Sequence, residues 1–198
     1  MLNRGGFTLV ELLVGMAIVA ILLALGVPSI AEYLQSAKMN SAAQSYLTGL
    51  QLARSEAIRR NLGVQFVLTD TAINPGVENA AVAAANGQNW IVRWFDAASA
   101  TSRLIEAKSA AEGSASVASP PAVTIAGVGA PTPFAGVVAF NGFGAPAGGD
   151  AFQFDVQNPQ GGACAPAGPM RCPRIIVTTG GEVRLCDPVA VAGDSRAC

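Results

Sequence analysis

FTLVELLVGMAIVAILLALGVPSIA, residues 7–31, decides how the rest of the chain must be read. It is almost wholly apolar and carries one ionisable side chain, Glu11. At about 1.5 Å per residue a helix of this length is roughly 37 Å long, enough to cross a hydrocarbon core of about 30 Å. A secretory signal peptide competes with that reading, but its apolar core is about 7–15 residues long and ends at a small-residue cleavage site. Here the run is longer, an amphipathic helical pattern follows without a break, and the small pair Gly5-Gly6 stands before the run. A cut at that pair leaves the apolar segment on the chain.

Glu11 is the anomaly in this segment. A lone carboxylate in a bilayer costs on the order of 2.5 kcal/mol or more, so such residues usually mark function. It calls for a cationic partner or must take up a proton. Cleavage after Gly6 creates one, the α-amine of Phe7, one helical turn away in the same chain or within reach in a neighbouring one. The plainer reading is a carboxylate snorkelling to the headgroups. Arg4 precedes the run and no Lys or Arg follows until Lys38, which places the N-terminus on the cytoplasmic side and the remainder outside.

The 198 residues leave room for one compact domain beyond this segment. Net charge is −1 and only 13% of residues are charged, so the whole chain has no general attraction for nucleic acid or acidic lipid. The absence of histidine removes the commonest general base and metal ligand. No catalytic residue, metal site or cofactor is expected. Cys164, Cys172, Cys186 and Cys198 are an even set confined to the C-terminal part, which in an exported domain reads as two disulfides. Zinc is disfavoured, since there is no CxxC pair. Three connectivities remain open, and the local pairs Cys164–Cys172 and Cys186–Cys198 are preferred because they pin a Pro/Gly-rich loop and the tail separately.

RGGFTLVELLVGMAIVAILLALGVPS resembles the N-terminal signature of type IV pilins and type II secretion pseudopilins. The resemblance implies a leader, residues 1–6, removed after Gly6 by a prepilin peptidase that also N-methylates Phe7. It maps the family's assembly glutamate onto Glu11 and its helix-kinking proline onto Pro28. Physically, Pro28 removes one backbone donor and crowds the preceding turn, so a kink or a locally melted turn is expected. LQLARSEAIRRN, residues 50–61, is similar to the end of the long helix in the GspH/FimT group, which comprises H-type pseudopilins and FimT/FimU-type minor pilins. The implied role is structural: a minor pilin in the tip or priming complex of a type IV pilus, with an H-type pseudopilin of a type II secretion system as the alternative. The implied partners are other pilin or pseudopilin subunits, the prepilin peptidase and the inner membrane, which a single pass crosses before assembly.

Residues 32–61 read as an amphipathic helix, with Ile30, Leu34, Ala37, Ala43, Leu47, Leu50, Ala53 and Ala57 on one stripe and a stop at Asn61 and Gly63. Residues 62–198 read as β. Short runs rich in β-branched and aromatic residues stand at 64–69, 90–95, 103–108, 136–140, 152–156, 174–178 and 182–186. The expected fold is therefore α+β, a long N-terminal helix (transmembrane, then amphipathic) packed on a mostly antiparallel, pilin-like β domain. Residues 74–89 and 109–122 lack an apolar face and are expected as mobile surface insertions. Calcium at Asp150 or Asp187 is disfavoured for want of an alternating acidic loop.

The hairpin CPRIIVTTGGEVRLCDP, residues 172–188, resembles FimT/FimU-type minor pilins more than secretion pseudopilins. Some FimT-like pilins bind DNA through Gly-Arg-x-Arg in this hairpin; the matching positions here read Gly181-Glu182-Val183-Arg184. Glu182 reverses the charge where a phosphate contact is needed. Arg171, Arg174 and Arg184 are the residues a DNA contact would use. An ordinary solvated hairpin is the preferred reading, and DNA as a partner is disfavoured.

Overall fold

Met39, Ala43, Tyr46, Leu50, Ala53 and Ala57 recur at alternating four- and three-residue steps, and all six are buried along one face of α1 (Leu9–Arg60). That spacing keeps a single stripe in register with a flat partner surface. The computed structural model describes residues 8–109, 124–157, 163–168 and 170–198, with the side chains of 23–32 and 124 left aside. The chain divides into two units, Met1–Gln35 and Ser36–Cys198. In the first, every described residue from Leu9 onward is helical, and the helical backbone runs through Pro28 with no melted turn.

Two positions on the expected stripe are corrected. Leu34 and Ala37 are exposed, whereas Met39 and Tyr46 are buried. Both buried residues have polar or polarisable side chains, which hid the register from a count of aliphatic positions. The helix stops as expected. Asn61 takes a left-handed conformation (φ 52°), its N–H bonds to Ile58 O, and the N–H of Leu62 bonds to Ala57 O. These paired bonds satisfy the last carbonyls, with Asn in the place glycine usually takes.

Among the described residues eight strands follow: β1 (Val64–Thr69), β2 (Asn89–Asp96), β3 (Thr101–Lys108), β4 (Thr124–Ala130), β5 (Val137–Phe140), β6 (Ala151–Gln157), β7 (Arg174–Val177) and β8 (Val183–Cys186). They form two antiparallel four-stranded sheets, in orders β3-β2-β1-β5 and β4-β6-β7-β8. One core joins the α1 stripe from Ala43 to Ala57 with Phe66 and Trp90 of the first sheet and Phe154, Ile175 and Val177 of the second. The architecture is α+β, a long helix packed on antiparallel sheet, as expected.

β4 was not expected, because TIAGVGA has little β propensity. Its small residues are required by Phe134, whose ring occupies the space a side chain at position 127 would need. That ring stacks edge-on against Phe152 and Phe154 at 5.9 and 5.2 Å between centroids.

Residues 74–89 are also corrected, for they are tied down rather than loose. They contain the short helix α2 (Val77–Ala80), and Val77 joins Val67 and Ile91 in a second core on the outer face of the first sheet. Thr69 Oγ1 donates to Val82 O at 2.7 Å, and Arg93 donates to Glu78 O at 2.6 Å. This cover explains why β1 buries both its faces except at Gln65. The expected insertion at 109–122 lies outside the described residues apart from Ser109.

Candidate functional site

Three places carry the candidate residues: the start of α1, the C-terminal hairpin, and the cleft between the hairpin and the middle of α1. Gly6 and Phe7 lie outside the described residues. Thr8 stands at the helix N-cap, where its Oγ1 accepts the N–H of Glu11 at 3.2 Å. Glu11 is thus the third residue of α1, in the T-x-x-E spacing of a capping box, and its carboxylate sits in the favourable field of the helix N-terminus. The sequence holds this T-x-x-E signal plainly, although a membrane carboxylate is the more conspicuous feature there.

From Leu9 to Leu22 the helix shows apolar side chains on every face. Leu9, Val10, Leu12, Leu13, Val14, Met16, Ile18, Val19, Ile21 and Leu22 are each more than half exposed. A helix apolar all round must be covered by lipid or by other helices. No helix is long and apolar enough to cross a membrane when only the described residues are taken; the span expected over residues 7–31 begins one residue before them, and its side chains from 23 to 31 are left aside. Pro28 lies within α1, among the residues whose side chains are left aside.

The four cysteines form two local disulfides, Cys164–Cys172 and Cys186–Cys198. The first closes a loop onto α1. Cys172 and Met170 enclose Met39 in a small sulfur-rich core, with the Met39 and Cys172 sulfurs 4.0 Å apart. The second bridge fastens the tail beside β8. Asp187 N–H bonds to Arg196 O at 2.7 Å, and Arg184 donates to the carbonyl oxygens of Ala197 and Cys198.

Each arginine singled out in the hairpin therefore has an acceptor within the chain. Arg174 pairs with Asp155 at 2.6 Å across β6 and β7, Arg171 pairs with Asp187 at 2.9 Å, and Arg184 holds the tail. Arg196 binds Asp194 through side chain and backbone, which holds that carboxyl down at about 2. The hairpin turn is closed by Gly181 N–H to Thr178 O and by Thr178 N–H to Glu182 O. Gly181 has φ +81°, and a Cβ there would strike the carbonyl of Gly144. The Gly181–Arg184 stretch is thus packed at its first residue and tied to the tail at its last.

Ser36 and Asn40 of α1, with Arg171, Pro173, Leu185 and Asp187, line a cleft of about 520 Å³. Its charges are mixed and mutually paired. Among the described residues no group of three or more Cys, Asp or Glu is placed to hold a metal ion.

Two family descriptions match the sequence. The prokaryotic N-terminal methylation motif matches residues 1–27, and type II transport protein GspH matches residues 42–181. No curated protein is significantly similar in sequence. Solved structures with a related course of chain include the type IV minor pilin FimU of Pseudomonas aeruginosa. It is 13% identical, with 76% of this chain and 98% of that one covered, at a TM-score of 0.48. A second is the minor pseudopilin EpsH of the type 2 secretion system of Vibrio cholerae, 12% identical over 77% of this chain and 99% of that one, at a TM-score of 0.49.

Proposed function

The chain belongs to the type II transport protein GspH family, whose members are structural pilins and pseudopilins, and we propose that it serves as a minor pilin of a type IV pilus. In this reading the leader is cut after Gly6, Phe7 is N-methylated, and the subunit waits in the inner membrane with its N-terminus cytoplasmic and its β domain periplasmic. It then enters the tip or priming complex of the filament. Glu11 sets its register against neighbouring subunits, the helix joins the filament core with Pro28 within it, and the domain faces outward.

One observation carries the reading. The methylation motif at residues 1–27 opens a helix whose apolar side chains from Leu9 to Leu22 are exposed on every side, with Glu11 as the charged residue among them. Lipid alone would cover the apolar side chains but would oppose the carboxylate. A bundle of like helices covers both when it offers an amine near Glu11. Gly15, Ala17 and Ala20 let such helices approach closely.

The choice of a pilus rests on the hairpin framed by the two disulfides, which resembles FimT/FimU-type minor pilins. The alternative, an H-type pseudopilin of a type II secretion system, is favoured by the description of the family itself. The physics of anchor and assembly is common to both. Neighbouring genes separate them: secretion-system components beside this gene favour the second, pilus-priming genes the first.

The test is mass analysis of the intact protein extracted from membranes. A mature chain beginning at methylated Phe7 is expected. A chain that retains Met1, or one cut near Ala31, overturns the reading.

A further inference from the structure

Phe143 is the most exposed large apolar side chain among the described residues, with 89% of its surface open to solvent. It stands on the loop between β5 and β6, and that loop is held at every step. Asn141 Oδ1 accepts the N–H groups of Phe143 and Ala145 at 3.0 and 3.2 Å. Asn141 N–H bonds to Ala145 O, and Gly144 N–H bonds to Asn141 O.

The loop is also seated on α1. Arg54 Nε donates to Gly144 O at 3.2 Å, Gly144 lies against the Ile58 side chain, and Gly142 lies against Asn61. From behind, the Gly181 turn of the hairpin closes on the carbonyl of Gly144. Phe143 is therefore raised between two fixed points at the C-terminal end of α1. Ile58, which touches the loop at Gly144, and Leu62, next to Asn61 just past the end of α1, are about half exposed, at 50% and 48%.

An aromatic ring presented on a rigid loop loses little freedom on binding, which is how interface anchors gain affinity. Basic charge flanks the loop, with Arg54 bonded to Gly144 O and Arg59 next to Ile58 in the chain and paired with Glu56, while Arg60 turns away, its guanidinium 5.1 Å over the Trp94 ring of β2. We propose that Phe143, with Ile58 and Leu62, is the anchor by which this chain docks into an apolar, carboxylate-rimmed pocket on a neighbouring filament subunit. This rests on the reading of the chain as a filament subunit and names the chemistry of its contact. Two features favour a protein pocket over a lipid surface. The patch is one ring and two flanking aliphatics, too small to hold a bilayer, and Glu56 fixes Arg59 in place.

The experiment uses the full chain in its own cells and compares sheared filaments with membranes. Wild type is expected in both. Phe143→Asp is expected at the wild-type level in membranes and reduced about tenfold or more in filaments, with Phe143→Leu recovering much of the loss and Arg59→Glu losing part. Recovery of Phe143→Asp in filaments equal to wild type overturns the proposal and leaves the filament reading standing. Absence of wild type itself from filaments overturns both.

Should Phe143→Asp also be lost from membranes, p-benzoylphenylalanine at position 143 decides. A covalent adduct, in assembled filaments, to a subunit peptide bearing Asp or Glu supports the proposal, and reduced adduct yield with Arg59→Glu strengthens it. An adduct to lipid alone, or none, overturns it.

Discussion

Gly49 of α1 lies directly under the ring of Phe66 on β1. A Cβ added at Gly49 would stand 2.9 Å from Phe66 Cε2 and 3.1 Å from Trp90. Both rings are buried and lean on each other at 5.8 Å between centroids, so neither can yield. A glycine here weakens the helix by up to about 1 kcal/mol relative to alanine, and what it returns is the close approach of helix and sheet. Gly49→Leu is expected to destabilise the domain by about 1–3 kcal/mol through overpacking. Thermal unfolding of the detergent-solubilised chain, followed by circular dichroism, should show a Tm lowered by about 2–12 °C. Gly15→Leu, where an added Cβ meets nothing within 4 Å, is the control and should leave the Tm unchanged.

Tyr46, three residues earlier on the same stripe, ties the helix to the cover of the first sheet. Its hydroxyl donates to Gln88 O at 2.9 Å, and burial pushes its ionisation well above the usual phenol range. A group whose folded pKa is raised gives stability that is complete below the unfolded value, near 10, and is lost as pH rises beyond it. The wild-type denaturation midpoint should therefore fall steeply above pH 10. Tyr46→Phe should flatten that fall while costing about 1 kcal/mol at neutral pH, since it leaves the Gln88 carbonyl without this donor.

At the acid end the same logic runs with the opposite sign. Arg59 and then Arg60, by hydrogen bonds, hold the Glu56 carboxyl below its ordinary value. Such a group stabilises the fold above the ordinary carboxylate range, and that stability is lost as pH falls through the depressed folded value. Urea midpoints of wild type and Glu56→Gln should differ at pH 7 and converge as the solution is acidified below pH 4. A gap that stays constant with pH would show that the ion pairs contribute nothing.

The two disulfides make separable predictions. Removing Cys164–Cys172 by a double Cys→Ser change frees the loop that covers Met39, at a cost of roughly 2–3 kcal/mol. Met39 is fully buried in the intact protein, so its oxidation by dilute peroxide should be slow and should quicken several-fold in the variant. Removing Cys186–Cys198 frees the tail near Arg184 and should leave Met39 protected. Peptide mass analysis after a timed exposure reads both.

The parts of this fold that were legible in the sequence are those where one side chain carries the signal alone. The strands at Val64–Thr69 and Asn89–Asp96 announce themselves through Phe66, Val92 and Trp94, and the helix stop through Asn61. What stayed hidden depends on a partner distant in sequence. Gly127 looks like a strand breaker until Phe134 is seen to fill the space above it, and Val77 looks like a loop residue until it meets Val67 and Ile91. The candidate site divides the same way. Glu11 stands out in a run of apolar residues. Phe143 is one phenylalanine among eight, and only its loop's seat on Ile58 and Asn61 makes it conspicuous.

Glu11 offers the sharpest test of what the apolar helix is for. As the third residue of α1 it contributes to the N-terminus by charge and by the capping-box position, and the backbone bond to Thr8 Oγ1 does not need its side chain. Glu11→Ala should therefore cost the helix no more than about 1 kcal/mol, too little to prevent insertion of so apolar a segment. Glu11→Gln keeps the size and the capping-box chemistry and removes only the charge. If Glu11 pairs with a neighbour's amine during assembly, both variants should reach the membrane at wild-type levels and both should be missing from sheared filaments. A Glu11→Gln protein recovered in filaments like wild type, with Glu11→Ala lost, would assign the residue to helix capping instead. Quantitative immunoblotting of membrane and filament fractions distinguishes the two outcomes.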